Sequence, residues 1–153
     1  VGAAKQQPKG IARRRHLARE RVLQALYQWM LTDDEAGEIE MQFLEERDLG
    51  GADLEYFKTL LRGAIEQSAE LDEVLGPHIQ RGTARIDPVE HAVLLIAAFE
   101  LIHRNDVPYR VVVDEAIELA KRYGGQDGYR FVNGVLDKLL PTYRSAELSA
   151  TRP

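Results

Sequence analysis

The sequence predicts an all-α protein built as two packed helical bundles, six to seven helices in total. Three observations carry that expectation. Apolar residues recur at the spacing of one helix face almost throughout, and no stretch sustains the alternation of a half-buried strand. Start and stop signals punctuate the pattern, and an irregular connection at 77–86 separates two halves. With 153 residues and 44% hydrophobic content, the chain can bury a core that needs no covalent staples. Cysteine is absent, which excludes disulfides and thiolate metal sites and suits a reducing cytoplasm, the expected location. No apolar run approaches the roughly 20 residues of a membrane span, and the first ten residues lack a secretory apolar segment. No membrane partner is expected.

Residues 1–12 contain Gly, Pro and Gln without periodicity and read as a flexible basic arm. The N-terminal bundle is expected over 13–76. Its first helix runs from about Arg13 to Leu31, with Ala18, Val22, Ala25, Leu26 and Trp29 on one stripe. A second helix spans about Ala36 to Arg47, with Ile39 and Phe43 inward. Gly50-Gly51 breaks the chain, and Asp53 caps a long helix expected to reach Leu75, where Gly76-Pro77 stops it. The C-terminal bundle is expected over 87–140, the two bundles forming one compact domain. Asp87-Pro88-Val89-Glu90 is a start signal: an N-cap, a proline at the first helical position and a capping-box glutamate. The run Ala92 to Phe99 is apolar all round, so this helix should be the buried centre of its half. After a turn at Asn105 to Pro108, a helix from about Arg110 to Tyr123 ends at Gly124-Gly125. Asp127 then caps a last helix that Pro141 terminates, leaving 141–153 as a disordered tail.

Charge is distributed unevenly. Lys5, Lys9, Arg13, Arg14, Arg15, Arg19 and Arg21 face only Glu20 in the first 21 residues, a net +6 in a chain of −5, so the remainder carries −11. A body that repels polyanions thus wears a segment that attracts them, and nucleic-acid phosphate is the partner this asymmetry suggests. The arginines also lie at the start of the first helix, where the dipole disfavours cations.

Enzyme signatures are missing. His16, His78, His91 and His103 are scattered, and no phosphate-cradling glycine loop or nucleophile elbow is present. Glu100-Leu-Ile-His103 has the spacing of one di-iron half-site, but a second copy is lacking, so no metal is expected there. Asp114, Glu115 and Glu118 fall in the first turns of their helix, where the dipole favours acids, and Glu118 is spaced to pair with Arg122. No catalytic residue and no cofactor is assigned. In the last helix, Tyr129 and Phe131 can offer stacking faces to unpaired bases, with Lys121, Arg122 and Arg130 holding phosphates. Equally, Phe131 fits a core position and Tyr129 a half-buried one. Gly134 inside a helix costs about 1 kcal/mol relative to Ala, so a neighbouring helix or a ligand is expected close to its backbone.

Several segments together resemble the NusB family of bacterial transcription antitermination factors. They are Arg13-Arg-Arg15, Ala18-Arg-Glu20, Gln24-Ala-Leu-Tyr-Gln-Trp29, Asp53-Leu-Glu-Tyr-Phe57, Leu71-Asp72, Asp106-Val-Pro-Tyr109, Asp114-Glu-Ala-Ile-Glu-Leu-Ala-Lys121 and Phe131-Val-Asn-Gly-Val-Leu-Asp137. They fall in the family's order over about residues 13–140. The resemblance implies a non-enzymatic factor that binds single-stranded boxA RNA of ribosomal RNA operons together with the ribosomal protein NusE. RNA polymerase and other Nus factors are the further partners it implies, and it leaves self-association open. By family motif, Arg13, Arg14, Arg15 and Arg19 contact RNA. A second RNA surface gathers around Asp127 and Phe131, where Lys121, Tyr129 and Arg130 also fall. The NusE face maps onto Tyr27, Glu90 and Tyr109. Two departures stand out: His16-Leu17 separates the arginine triplet from Ala18-Arg-Glu20, and Leu95 replaces a common arginine.

Overall fold

The structure, a computed structural model, describes residues 9–45, 49–80 and 86–150. All regular structure among them is helical: α1 Lys9–Leu31, α2 Ala36–Glu45, α3 Leu54–Glu66, α4 Ser68–Leu75, a 3-10 turn Gly76–His78, α5 Pro88–His103, α6 Tyr109–Tyr123, α7 Gly128–Tyr143 and α8 Ser145–Ala150. The all-α expectation holds. Two additions raise the helix number: the long helix expected to reach Leu75 is broken at Gln67 (φ −105°, ψ 16°), and the tail is helical. Apolar spacing continues across Gln67, which is why periodicity does not reveal the break. The chain forms two compact units, Val1–Ile65 and Glu66–Pro153, so the division falls near the α3–α4 junction rather than at 77–86. Of that connection, 81–85 lie outside the described residues, as do 1–8 of the expected arm.

In the first unit, Ala18, Val22, Ala25 and Leu26 of α1 are fully buried, as their stripe predicts. The helix starts at Lys9, earlier than expected, because nothing between Pro8 and Arg13 breaks it and Gly10 costs only about 1 kcal/mol. Phe43 of α2 stacks on Phe57 of α3 at 6.0 Å between centroids, and Arg62 donates from Nε and Nη2 to both Glu40 oxygens at 2.8 Å. Asp53 does cap α3: its Oδ1 accepts from the Tyr56 N–H at 3.0 Å. Its own N–H donates to the Arg14 carbonyl at 3.0 Å, which pins the start of α3 to the arginine turn of α1.

The second unit is organised around α5, where Ala92 through Leu101 are all buried. Such a helix needs its terminal polar groups satisfied by side chains. At the N-terminus Asp87 Oδ2 accepts from the N–H groups of Val89 and Glu90 at 3.0 and 3.2 Å. His91 Nε2 meets Asp72 Oδ1 of α4 at 2.7 Å. At the C-terminus the buried Arg144 guanidinium donates to the carbonyls of Leu101, Val107, Glu100 and Arg104 at 2.9, 2.9, 3.1 and 3.0 Å, and to Glu147 Oε1 at 2.6 Å. Glu147 Oε2 in turn accepts from the Tyr109 N–H at 2.8 Å, at the start of α6. This clasp corrects the expected disordered tail. Pro141 does not stop α7, which runs two residues further; the N–H lost at the proline is a small penalty beside the bonds that anchor Arg144.

Two glycines behave differently from their sequence role. Gly124 ends α6 with an extended backbone (φ −88°, ψ 179°) rather than a left-handed one. A Cβ there would lie 2.6 Å from the Ala120 carbonyl oxygen, so close approach rather than positive φ demands glycine. Gly134 has nothing within 4 Å of its would-be Cβ, contrary to the expected close neighbour.

Replacing Arg144 by alanine strands several buried carbonyls and is expected to cost roughly 3 kcal/mol in urea unfolding. Gly124→Ala should cost about 1–3 kcal/mol by overpacking against backbone. Gly125→Ala, with open space and no positive φ, should stay within about 0.5 kcal/mol of the wild type. Equal effects of the two glycine variants would contradict the role given to Gly124.

Candidate nucleic-acid interface

The basic segment places its arginines in three different environments. Arg13 and Arg14 are exposed on the first turns of α1, Arg14 Nε donating to the Gly10 carbonyl at 3.3 Å. Arg15 is half-buried, its guanidinium carbon 4.4 Å from the centroid of the Tyr56 ring. Arg19 is only 3% exposed; its guanidinium sits 5.3 Å from the same centroid and donates to the Tyr56 hydroxyl at 3.4 Å. The expectation that the exposed first turns carry all four arginines is therefore corrected for Arg19. Helical spacing puts position 19 on the stripe side with Val22 and Leu26, and the ring of Tyr56 receives the charge there. Tyr56 went unassigned in sequence because an aromatic at helical spacing reads as core.

The second group assembles where α6 turns into α7. Asp127, expected to cap α7, instead adopts a left-handed backbone (φ 64°) and makes no side-chain cap. Its Oδ1 lies 3.7 Å from Arg130 Nε, and the Arg130 side chain is 73% exposed. Arg130 Nε also donates to the Tyr129 hydroxyl at 3.1 Å, and that bond raises its pKa above the ordinary arginine value. Lys121 Nζ lies 4.7 Å from the Tyr129 centroid. Tyr129 is thus engaged by two cations, and it acts as their support more readily than as an open stacking face.

Beside this turn lies an open cavity of about 610 Å³, whose walls include His78, Asp87, Glu90, Arg130, Phe131 and Lys138. Gly134 also lines it, and the absence of a side chain there helps keep it open. Phe131 is half-buried and forms part of the wall, which joins the two alternatives left by the sequence. Glu90 was assigned to a protein partner and Arg130 and Phe131 to RNA, yet all three border one cavity. The Glu90 carboxylate also lies against Gly128, where a Cβ would come within 2.5 Å of Oε2. Burial, and then the nearby Asp87 charge, push the Glu90 carboxyl above its ordinary value. His78 and Lys138 had no sequence signal; only the placement of the 3-10 turn Gly76–His78 beside α7 brings them in.

The remaining candidates are separate. Tyr27 is 41% exposed on α1. Tyr109 is half-buried at the start of α6, its hydroxyl accepting from Arg110 Nε at 3.2 Å. Glu100 is buried, whereas His103 is exposed and tilted against Phe99 at 5.1 Å, so one di-iron half-site is not even locally formed. No helix among the described residues is long and apolar enough to cross a membrane.

The NusB family profile matches residues 16–141. The chain belongs to the NusB family. It is 49% identical over 136 residues to the transcription antitermination protein NusB of Yersinia pestis (strain Pestoides F), a match covering 89% of this chain and 97% of that protein. Its fold is similar to that of T. maritima NusB, with a TM-score of 0.75 at 30% identity, covering 88% of this chain and 96% of the other. It is also similar to the NusB chain of a crystal structure of the antitermination factors NusB and NusE in complex with dsRNA. There the TM-score is 0.77 at 30% identity, over 86% of this chain and 98% of that one. Within this NusB-type fold, Leu95 is 1% exposed and belongs to the core of its unit.

The Glu90 shift has a defined consequence for stability. A carboxyl whose folded pKa is raised binds its proton more tightly when folded. Its penalty is therefore absent below the ordinary value of 4.5 and fully present above the raised one. Stability from this group falls as pH rises through that window. Glu90→Gln should therefore gain stability over the wild type from pH 4 to pH 7 in paired urea titrations; a difference that is flat or shrinks with pH contradicts the burial argument.

Proposed function

We propose that this chain is a transcription antitermination factor that binds single-stranded boxA RNA of ribosomal RNA operons together with NusE. In this role it joins RNA polymerase and other Nus factors in the cytoplasm and supports ribosomal RNA synthesis. It acts by binding, with no catalytic residue and no cofactor. The observation that carries the proposal is the match to the NusB chain seen with NusE and RNA, which spans nearly that whole chain. The charge distribution supports it: a net +6 over the first 21 residues, on a remainder of −11, offers phosphate a confined target. Arg13, Arg14 and Arg15 supply phosphate contacts; Lys121 and Arg130 supply them at the second group. The cavity beside Phe131 suits an unpaired base, because an aromatic wall flanked by cations offers a stacking face and phosphate contacts to a base free of its partner strand. Tyr27, Glu90 and Tyr109 each supply contacts to NusE, and the Glu90 carboxylate is complementary to a basic ribosomal protein, whose binding raises the modest affinity that a few phosphate contacts provide.

The test is a titration of labelled boxA RNA with and without NusE over a range of salt. Five phosphate contacts on a single strand give a log–log salt slope of about −3.5. Replacing both Arg13 and Arg14 by alanine should weaken binding and flatten the slope by about 1.4. Arg19→Ala, removing a buried side chain, should lower thermal stability, as the exposed pair does not. An unchanged slope in the double variant refutes the role of the arginine turn.

A further inference from the structure

The Tyr56 ring is nearly sealed, 3% exposed, yet it holds two guanidiniums from successive turns of α1. Their carbons lie 4.4 and 5.3 Å from one centroid, so two like charges share a single π-face system that offsets part of their repulsion. Asp53 fixes the ring from below: it caps the first turn of α3 through the Tyr56 N–H, and its own N–H is bonded to the Arg14 carbonyl, next to Arg15. Ring and arginine turn are therefore registered through backbone as well as through side chains. Arg15 Nε is buried and has no hydrogen-bond partner among the described residues. With Nε closed off, a phosphate can reach Arg15 only through Nη1 and Nη2. A donor left unsatisfied inside the protein is costly, and here the ring is the compensating contact.

We propose that Tyr56 is a positioning residue of the RNA interface: its ring holds Arg15, with Arg19 beside it, so that Arg15 meets a backbone phosphate already ordered. This inference rests on the RNA-binding function proposed above and adds a residue that itself touches no RNA. A free arginine loses rotamer freedom when it binds phosphate, and an arginine already stacked has less to lose. Arg13 and Arg14, exposed on the same turns, lack this support.

The experiment measures affinity and salt slope for labelled boxA RNA with Tyr56→Phe, Tyr56→Leu, Arg15→Ala and the Tyr56→Leu/Arg15→Ala pair. Tyr56→Leu is expected to weaken RNA binding roughly tenfold. Tyr56→Phe, which keeps the ring, should stay within about twofold. The double variant should bind no worse than Arg15→Ala alone, because both changes remove the same contact. Full additivity, or wild-type affinity in Tyr56→Leu while Arg15→Ala is weak, overturns the role of Tyr56 and leaves RNA binding standing. Unchanged binding in Arg15→Ala and in the Arg13/Arg14 double variant overturns the functional proposal itself. Should Tyr56→Leu fail to fold, the Arg15 Nε–H order parameter in the wild-type protein decides. A value near that of the helix backbone supports the stacked arginine, and one as low as that of Arg13 overturns it.

Discussion

A helix end enclosed by protein has no water to satisfy it, and the second unit is built around that constraint. The α5 helix buries Ala92 through Leu101, so the C=O groups at its enclosed end must be met by the protein itself. At its exposed start Asp87 accepts from the N–H groups of Val89 and Glu90. Arg144 meets the enclosed end, a single guanidinium spread over carbonyls of Glu100, Leu101 and Arg104 and reaching Val107 in the following turn. Arginine suits this task because its planar fork offers five donors in fixed directions and loses little hydration when buried. Glu147 closes the arrangement, balancing the charge while capturing the first N–H of α6. The ends of α5 and the start of α6 are thus set by residues that come from 87 and from beyond 140.

The same economy of arginine runs through the candidate interface, with the opposite outcome for exposure. Tyrosine serves repeatedly as the support for a cation: Tyr56 under Arg15 and Arg19, Tyr129 beside Lys121 and Arg130, Tyr109 beside Arg110. A tyrosine ring holds a guanidinium without neutralising it, whereas a carboxylate in the same place would cancel the field that phosphate senses. On a body of net −11 that distinction matters, because acidic neighbours are abundant. Salt bridges tie helices and turns together, as between Glu40 and Arg62 or Arg104 and Asp106, and at the interface Arg130 has Asp127 at 3.7 Å as well as the Tyr129 ring.

Where the α6–α7 turn meets α5, structural and recognition demands overlap. Gly128 has no side chain, which leaves the Glu90 carboxylate room beneath the turn, and Asp127 accepts a left-handed backbone that glycine would adopt at lower cost. Glu90, partly desolvated beside Asp87, faces a cavity that also contains Arg130 and Lys138. Any ligand that covers this cavity therefore changes the surroundings of an acid and of two bases together.

The sequence by itself determined the helical class, most element starts, the position of the cationic segment and the family. Helical spacing, Asp53 and Asp87 are local signals, readable without knowing what packs opposite. It also named the residues at the α6–α7 turn, although it gave Asp127 a capping role that its backbone does not permit. Only the tertiary structure decided which arginines reach solvent, that Arg144 belongs to a core, that Gly134 borders open space and that Gln67 interrupts a regular apolar stripe. For the arginines the physical reason is the same in each case. Periodicity reports which side of one element turns inward, whereas a long cationic side chain can be buried, stacked or solvated from the same position. Its fate depends on the group that another element presents to it: a tyrosine ring for Arg19, the bare end of a buried helix for Arg144.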